Sequence, residues 1–179
     1  MVPHLPALTA GFTYDDREFV VHNASIRRLS TALEAFVSPF PPEQPERGLF
    51  RPVTNLSYAF DHLVFGDRPG GFHGTSIAIY WTLCLLILLV ARRLLPGPHA
   101  LAAALLFAAH PVHCEAVDSV AGRSELLSLT FGLLALLCAR RHDTTGRPGW
   151  FAAMLTCLAS AMLAKESGVM AVVVVGAYL

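Results

Sequence analysis

Adjacent carboxylates at Asp15 and Asp16, in the stretch FTYDDREF, are the first residues of this chain that could do chemistry. A carboxylate beside an apolar surface can take the proton of a hydroxyl when its environment tunes its basicity. The same dipeptide also suits a turn or a helix cap, so both readings stand. Arg51 directly precedes Pro52 and an apolar-periodic run, Val53, Leu56, Ala59, Phe60 and Leu63. Proline favours the first helical position, so Arg51 opens a helix lying along a surface. A guanidinium there suits a phosphate, because its planar fork donates paired hydrogen bonds. It equally suits an interfacial anchor. In LFAAHPVHCEAVDSVAGRSELLSL, the residues His110, His113 and Glu115 could bind a divalent metal. Their spacing lacks the four-residue histidine pair of a zinc-protease helix, so the metal reading stays unsupported. The alternative is a bent polar segment, Arg123 included, that lines a cavity. Lys165 and Glu166 interrupt two apolar runs in AKESG. Such a pair is costly in a membrane unless paired or facing a polar cavity. A tight hairpin and a charged pair inside one kinked helix both fit.

These groups need elements to position them. Residues 1–71 are mixed and Pro-rich, and read as the tail of an apolar first helix, an exterior loop with the acidic pair, and the surface helix. Residues 72–179 read as membrane helices at about 72–95, 99–112, 124–141, 149–164 and 168–179, several of them shorter than the roughly 20 residues that a bilayer requires. Ser124 and Glu125 read as the N-cap and first-turn acid of one of them. Arg92, Arg93, Arg140, Arg141 and Arg147 fall in two short turns that share one side if the spans alternate. That side is cytoplasmic by the charge rule. Asp15, Asp16, Arg51, the His110–Glu125 segment and Lys165–Glu166 then share the exterior face. Both ends read as cut, so a fragment ending inside a larger domain is expected.

Composition sets the class. Apolar residues make up 54% of the 179 and charged residues 15%, with a mean hydropathy of +0.53. A soluble domain carries about 25% charged residues, so a multi-pass integral membrane protein is expected. A soluble all-helical core is the competitor. The helices lack a polar face, which argues against it. The formal net charge of zero gives no handle for nucleic acid. The four cysteines lack metal-ligand or disulfide spacing and read as small buried apolar groups. Asn23 and Asn55 stand in N-x-S sequons, which matter only in a eukaryotic secretory setting.

Five segments in order, PALTAGFTYDD, LFRPVTNLSYAFDHLVFG, GFHGTSIAIYWTLCLLILLVARRL, LLFAAHPVHCEAVDSVAGRSELLSL and AMLAKESGVM, resemble the membrane part of the transmembrane and tetratricopeptide-repeat O-mannosyltransferase-like family. The likeness covers nearly the whole chain. HPVHxEAVxxxxGRxELL is its most specific pattern, with Cys114 where the family usually has Thr.

The resemblance implies a partial bundle of the GT-C glycosyltransferase fold: all-α, polytopic, with surface-lying helices in the exterior first loop. It implies a lipid-linked sugar as co-substrate, with no cofactor firmly required, and an exported protein as acceptor. Downstream 34-residue tetratricopeptide repeats would belong to the same chain. The bacterial inner membrane is the expected location, or the endoplasmic reticulum membrane in a eukaryote. Asp15 matches the base of the family's acidic motif, with Asp16 beside it. Arg51, helped by Lys165, matches the holder of the donor phosphate. His110, His113, Glu115, Arg123 and Glu166 are expected to line the cavity. Two other classes remain open: a non-catalytic transporter-like or scaffold segment, and a metal-dependent membrane hydrolase using His110, His113 and Glu115.

Overall fold

The computed structural model describes residues 4–179. Among them all regular structure is helical, apart from one isolated bridge between Phe40 and Leu49. The first third is a chain of short turns: Leu5–Thr9, Arg17–Val21, Ala24–Arg27, the helix α1 (Leu29–Glu34) and Pro45–Arg47. The expected apolar helix tail falls partly on residues 1–3, outside the described residues. Its remainder forms the single 3-10 turn Leu5–Thr9.

The longer helices begin and end where local chemistry dictates. Helix α2 (Pro52–Phe65) starts on proline and stops at Gly66, whose φ is +62°. Helix α3 (Pro69–Leu94) starts the same way. It ends with Arg92 and Arg93 in its last turn, at the negative end of its dipole. Helix α4 (Gly97–Ala109) stops before Pro111, and the chain bends by 48° into Pro111–His113 and the one-turn helix α5 (Cys114–Asp118). Helix α6 (Arg123–Thr145) ends at Gly146 in the left-handed conformation. Gly122 precedes α6, and Ser124 is its second residue, so Ser124 is not the expected N-cap. Glu125 does fall in the first turn. Helix α7 (Pro148–Ala164) follows after a short turn, and the turn Glu166–Gly168 leads to α8 (Val169–Tyr178).

The break between α7 and α8 is a hairpin. Val175 of α8 shares a core cluster with Met154 of α7 and with Ala135 and Ala139 of α6, so α8 runs back alongside both. Gly168 permits the reversal. A Cβ there would lie 2.2 Å from the carbonyl oxygen of Ala161. Small residues at Ala135, Ala139, Ala161 and Ala164 let these helices approach closely.

One helix, Pro69–Leu94, is long and apolar enough to cross a membrane. The bent pair Gly97–Ala109 and Pro111–Asp118 passes the same test jointly. Pro148–Ala164 and Glu166–Tyr178 are apolar but shorter. Side chains are distributed inside out. Asn23, Thr54, Asn55, Asp61, Ser76 and Arg123 are buried, while Phe60, Leu85, Leu105, Leu155 and Val173 are exposed. Helix α2 shows the inversion best. Its inward face is Thr54, Asn55, Tyr58 and Asp61, and Phe60, Leu63 and Val64 point outward. Asn23 and Asn55 are fully buried, and the Asn23 amide donates to Asn55 Oδ1 at 2.9 Å. Neither sequon presents its amide outward.

Arg123 occupies the middle of this polar interior and is fully buried. Its Nη2 lies 2.6 Å from Asp61 Oδ2 and donates to the Phe72 carbonyl at 2.7 Å. Its Nε donates to Ser76 Oγ at 3.2 Å. The Tyr58 ring lies 4.9 Å from the guanidinium carbon. Arg123 therefore does not line a cavity, as its sequence context suggests. It binds α6 to α2 and α3. Burial raises the Asp61 pKa, while the Arg123 charge and the Thr75 hydroxyl oppose that shift.

Removing one member of a buried pair strands the other charge, at a cost of about 3–5 kcal/mol. Arg123→Met and Asp61→Asn are each expected to destabilise the protein by about that amount in chemical denaturation in detergent micelles. The double variant is expected to lose less than the sum of the two. Wild-type stability in either single variant would refute the assignment.

Candidate functional site

The turn at Thr13–Asp16 separates the two adjacent carboxylates. Tyr14 has φ +42°, a strained left-handed conformation for a non-glycine residue. The backbone reverses there, and the Asp16 N–H donates to the Thr13 carbonyl at 2.8 Å. Asp16 turns inward and becomes fully buried. Its carboxylate accepts from Thr13 N at 3.2 Å, Ser119 Oγ at 2.9 Å and Ala121 N at 2.8 Å. Those contacts clamp the segment before α1 to the stretch before α6. Asp16 is thus a structural clamp with its oxygens occupied, where the sequence pairs it with Asp15 as catalytic. Asp15 stays exposed, with Arg47 Nη1 3.8 Å away.

Asp15 faces a cavity of about 510 Å³. Arg51, His113, Glu115, Glu125 and Lys165 line it as well. Of the nine expected site residues, five therefore share one wall: Asp15, Arg51, Lys165, His113 and Glu115. Glu166 sits behind them as the partner of Arg51. Arg123 and Asp16 are interior. His110 is exposed and lies off this wall, its Nδ1 accepting from the Val112 N–H at 3.2 Å.

Both cations are already paired. Arg51 Nε and Nη2 donate to the Glu166 carboxylate at 2.9–3.2 Å, while Nη1 makes no hydrogen bond among the described residues. Lys165 pairs with Glu125. The extended backbone of Lys165 and the turn after it put these two neighbours on different partners. Thr54 Oγ1 donates to the Ala164 carbonyl at 2.8 Å, so α2 also anchors this break. Burial would raise the Glu166 pKa, but the Arg51 hydrogen bonds and charge outweigh it and hold the carboxyl below its ordinary value.

The polar cavity adjoins an apolar one of about 440 Å³. His113, Ala116 and Glu125 belong to both. Leu83, Leu129, Leu133, Met170 and Val174 line the apolar part. His110, His113 and Glu115 do not converge as a ligand set. The donor atoms that come within 4.8 Å of one another are those of His4, Cys114 and Asp118.

The sequence matches the family model described as dolichyl-phosphate-mannose-protein mannosyltransferase over residues 45–179. The chain belongs to that family. It falls in the TMTC-like group of the GT-C glycosyltransferases. It is 35% identical to Protein O-mannosyl-transferase Tmtc1 of Drosophila melanogaster, over 98% of this chain and 21% of that protein. Drosophila Tmtc2 is also 35% identical, over 97% of this chain and 20% of its own length. Human Protein O-mannosyl-transferase TMTC2 is 30% identical, over 98% of this chain and 22% of its own length. The chain spans about a fifth of the length of these curated relatives. No solved structure matches it.

Sequence reasoning missed the role of Asp61, the one carboxylate on the inward face of α2. It also missed His4 and Ser119, which carry no local signal. Glu125 was legible only as a helix-start acid, and its service to Lys165 depends on the α7–α8 hairpin.

The Glu166 shift has a definite sign. A depressed folded-state pKa stabilises the fold above the ordinary carboxylate value, and this stability is lost as pH falls through the folded value. Melting temperature is therefore expected to drop on acidification below about pH 4.5. Glu166→Gln should flatten that part of the profile. An unchanged profile in Glu166→Gln would show that the Arg51 contact does not form.

Proposed function

We propose that this chain forms the catalytic membrane segment of an inverting glycosyltransferase, moving mannose from a polyprenyl-phosphate donor to a hydroxyl of an exported protein. The observation that carries the reading is one cavity lined by an exposed carboxylate, Asp15, and by the cations Arg51 and Lys165, with an apolar cavity adjoining it. A lipid-linked sugar phosphate has those three parts: a hydroxyl-reactive carbon, an anion and an apolar tail.

Asp15 accepts the proton of a Ser or Thr hydroxyl. The oxygen attacks the anomeric carbon from the face opposite the phosphate. The carbon–oxygen bond to the phosphate breaks with inversion, and the lipid phosphate leaves carrying the electron pair. Arg51 and Lys165 stabilise the charge that develops on it. The apolar cavity takes the first part of the polyprenyl chain. No metal is needed for this balance of charges.

The setting is a multi-pass membrane protein with the cavity on the exterior or lumenal face. Its support is the outward display of Leu, Val and Phe along α3, α4, α7 and α8, and the Arg-rich turns on the far side. Helix α2 would rest in the interface with Phe60, Leu63 and Val64 toward lipid, as an interfacial helix does.

Loss of a general base lowers turnover by about 10²–10⁴-fold. Asp15→Asn is expected to reduce mannosyl transfer by about that factor in membranes carrying the full protein, with normal expression and melting. Arg51→Lys, which keeps the charge but loses the fork, should raise the KM for the donor more than it lowers kcat. Undiminished transfer by Asp15→Asn would remove Asp15 as base. Absence of mannosyl transfer above background by the folded full-length wild-type protein supplied with donor and acceptor would favour a non-catalytic membrane role.

A further inference from the structure

Outside the cavity, a second group of side chains has its own chemistry. His4 lies in the turn before Leu5–Thr9 and is almost completely buried. Its Nδ1 is 2.8 Å from Asp118 Oδ1, and its ring stands edge-on to Tyr80 at 5.1 Å. Cys114 and Asp118 are four residues apart on α5, so their side chains emerge on one face of a single turn. His4 closes that face from the opposite end of the sequence. The three donor atoms fall within 4.8 Å of one another.

We propose that His4, Cys114 and Asp118 form a divalent transition-metal site selective for zinc. The donor set decides the class. One thiolate and one imidazole exclude the hard cations, which require oxygen ligands. One sulfur, one nitrogen and one carboxylate oxygen in close reach are the ligands of tetrahedral zinc. Zinc bonds of about 2.0–2.3 Å place neighbouring ligand atoms roughly 3.3–3.6 Å apart. The His4–Asp118 hydrogen bond must then open by a fraction of an ångström, and Cys114 must swing inward by about an ångström at most. Cys114 is exposed, so that movement is free and the fourth position stays open to water.

The site would be a fastener. It ties the segment that leads into Asp15 to α5, whose Glu115 lines the cavity and whose first residue follows His113. Metal binding here does not depend on the glycosyl-transfer reading.

The test is a titration of the chelator-stripped, detergent-solubilised protein with Zn²⁺ against a chromophoric chelator, and with Co²⁺ as an optical probe. One equivalent should bind. The Co²⁺ form should show a thiolate charge-transfer band and the visible bands of tetrahedral cobalt. Cys114→Ser should abolish the charge-transfer band and weaken Zn²⁺ binding by at least about 10–100-fold. Asp118→Asn should weaken binding comparably and serves where Cys114→Ser fails to fold. His110→Ala should bind as the wild type does. No stoichiometric binding, a cobalt spectrum without the thiolate band, or unchanged affinity in the folded Cys114 and Asp118 variants would overturn the proposal.

Discussion

Arg123 places a guanidinium where no water reaches it, and the surrounding helices are arranged to make that tolerable. An isolated buried charge costs several kcal/mol even after relaxation. Asp61 neutralises it, the Phe72 carbonyl, the Ser76 hydroxyl and the carbonyl and hydroxyl of Ser57 accept its other N–H groups, and Tyr58 and Phe72 present ring faces to it. These partners come from α2 and α3, and Arg123 opens α6. The ion pair therefore fixes the orientation of three helices at once, with little freedom to slide. Tyr58 extends the same constraint. Its hydroxyl donates to the Val120 carbonyl at 2.9 Å, just before α6, and its burial holds it in the protonated, donating form.

The cavity depends on that fixed frame through two further ties. Asp16 fastens the N-terminal segment to Ser119 and Ala121, the residues that lead into Arg123. Arg51 and Thr54, at the start of α2, fasten that helix to the α7–α8 break. Gly122 lets the chain pass there. A Cβ at this position would meet Ala116 backbone atoms at 2.7 Å. Asp15 and Arg51 lie far apart in sequence, yet Asp15 is one residue from a tie point and Arg51 is itself one. A side chain next to an anchored neighbour has little positional freedom, and chemistry needs that placement.

The helix start at Pro52 was legible in the sequence, whereas α6 runs past Arg140 and Arg141, where the sequence suggested its end, to Thr145. The helices expected near 72–95 and 149–164 have counterparts in Pro69–Leu94, which is long enough to cross a membrane, and Pro148–Ala164, which is apolar but shorter. The polar break at His110 was legible too, because Pro111 ends the incoming helix. What the sequence hid was direction. Periodicity shows that α2 has two faces but not which one turns inward, and here the polar face does. Asp15 and Asp16 look equivalent in a dipeptide, and only the left-handed backbone at Tyr14 assigns one to the interior and the other to the cavity. Arg123 read as a cavity residue because its partner Asp61 lies in another helix, and no local pattern links the two.

The carboxylates that hold Arg51 and Lys165 give the cavity built-in counter-ions. Glu166 and Glu125 keep both cations extended and correctly aimed while no anion is present. In the proposed reaction an arriving phosphate would compete with them, so its binding would be an exchange of one anion for another rather than the filling of a bare positive hole. The exchange lowers affinity, because part of the attraction is spent on parting the pairs. It also runs in reverse. Were a lipid phosphate released there from its sugar, as proposed, the same glutamates would compete to reclaim their cations. A site arranged this way would give up tight binding for rapid clearance.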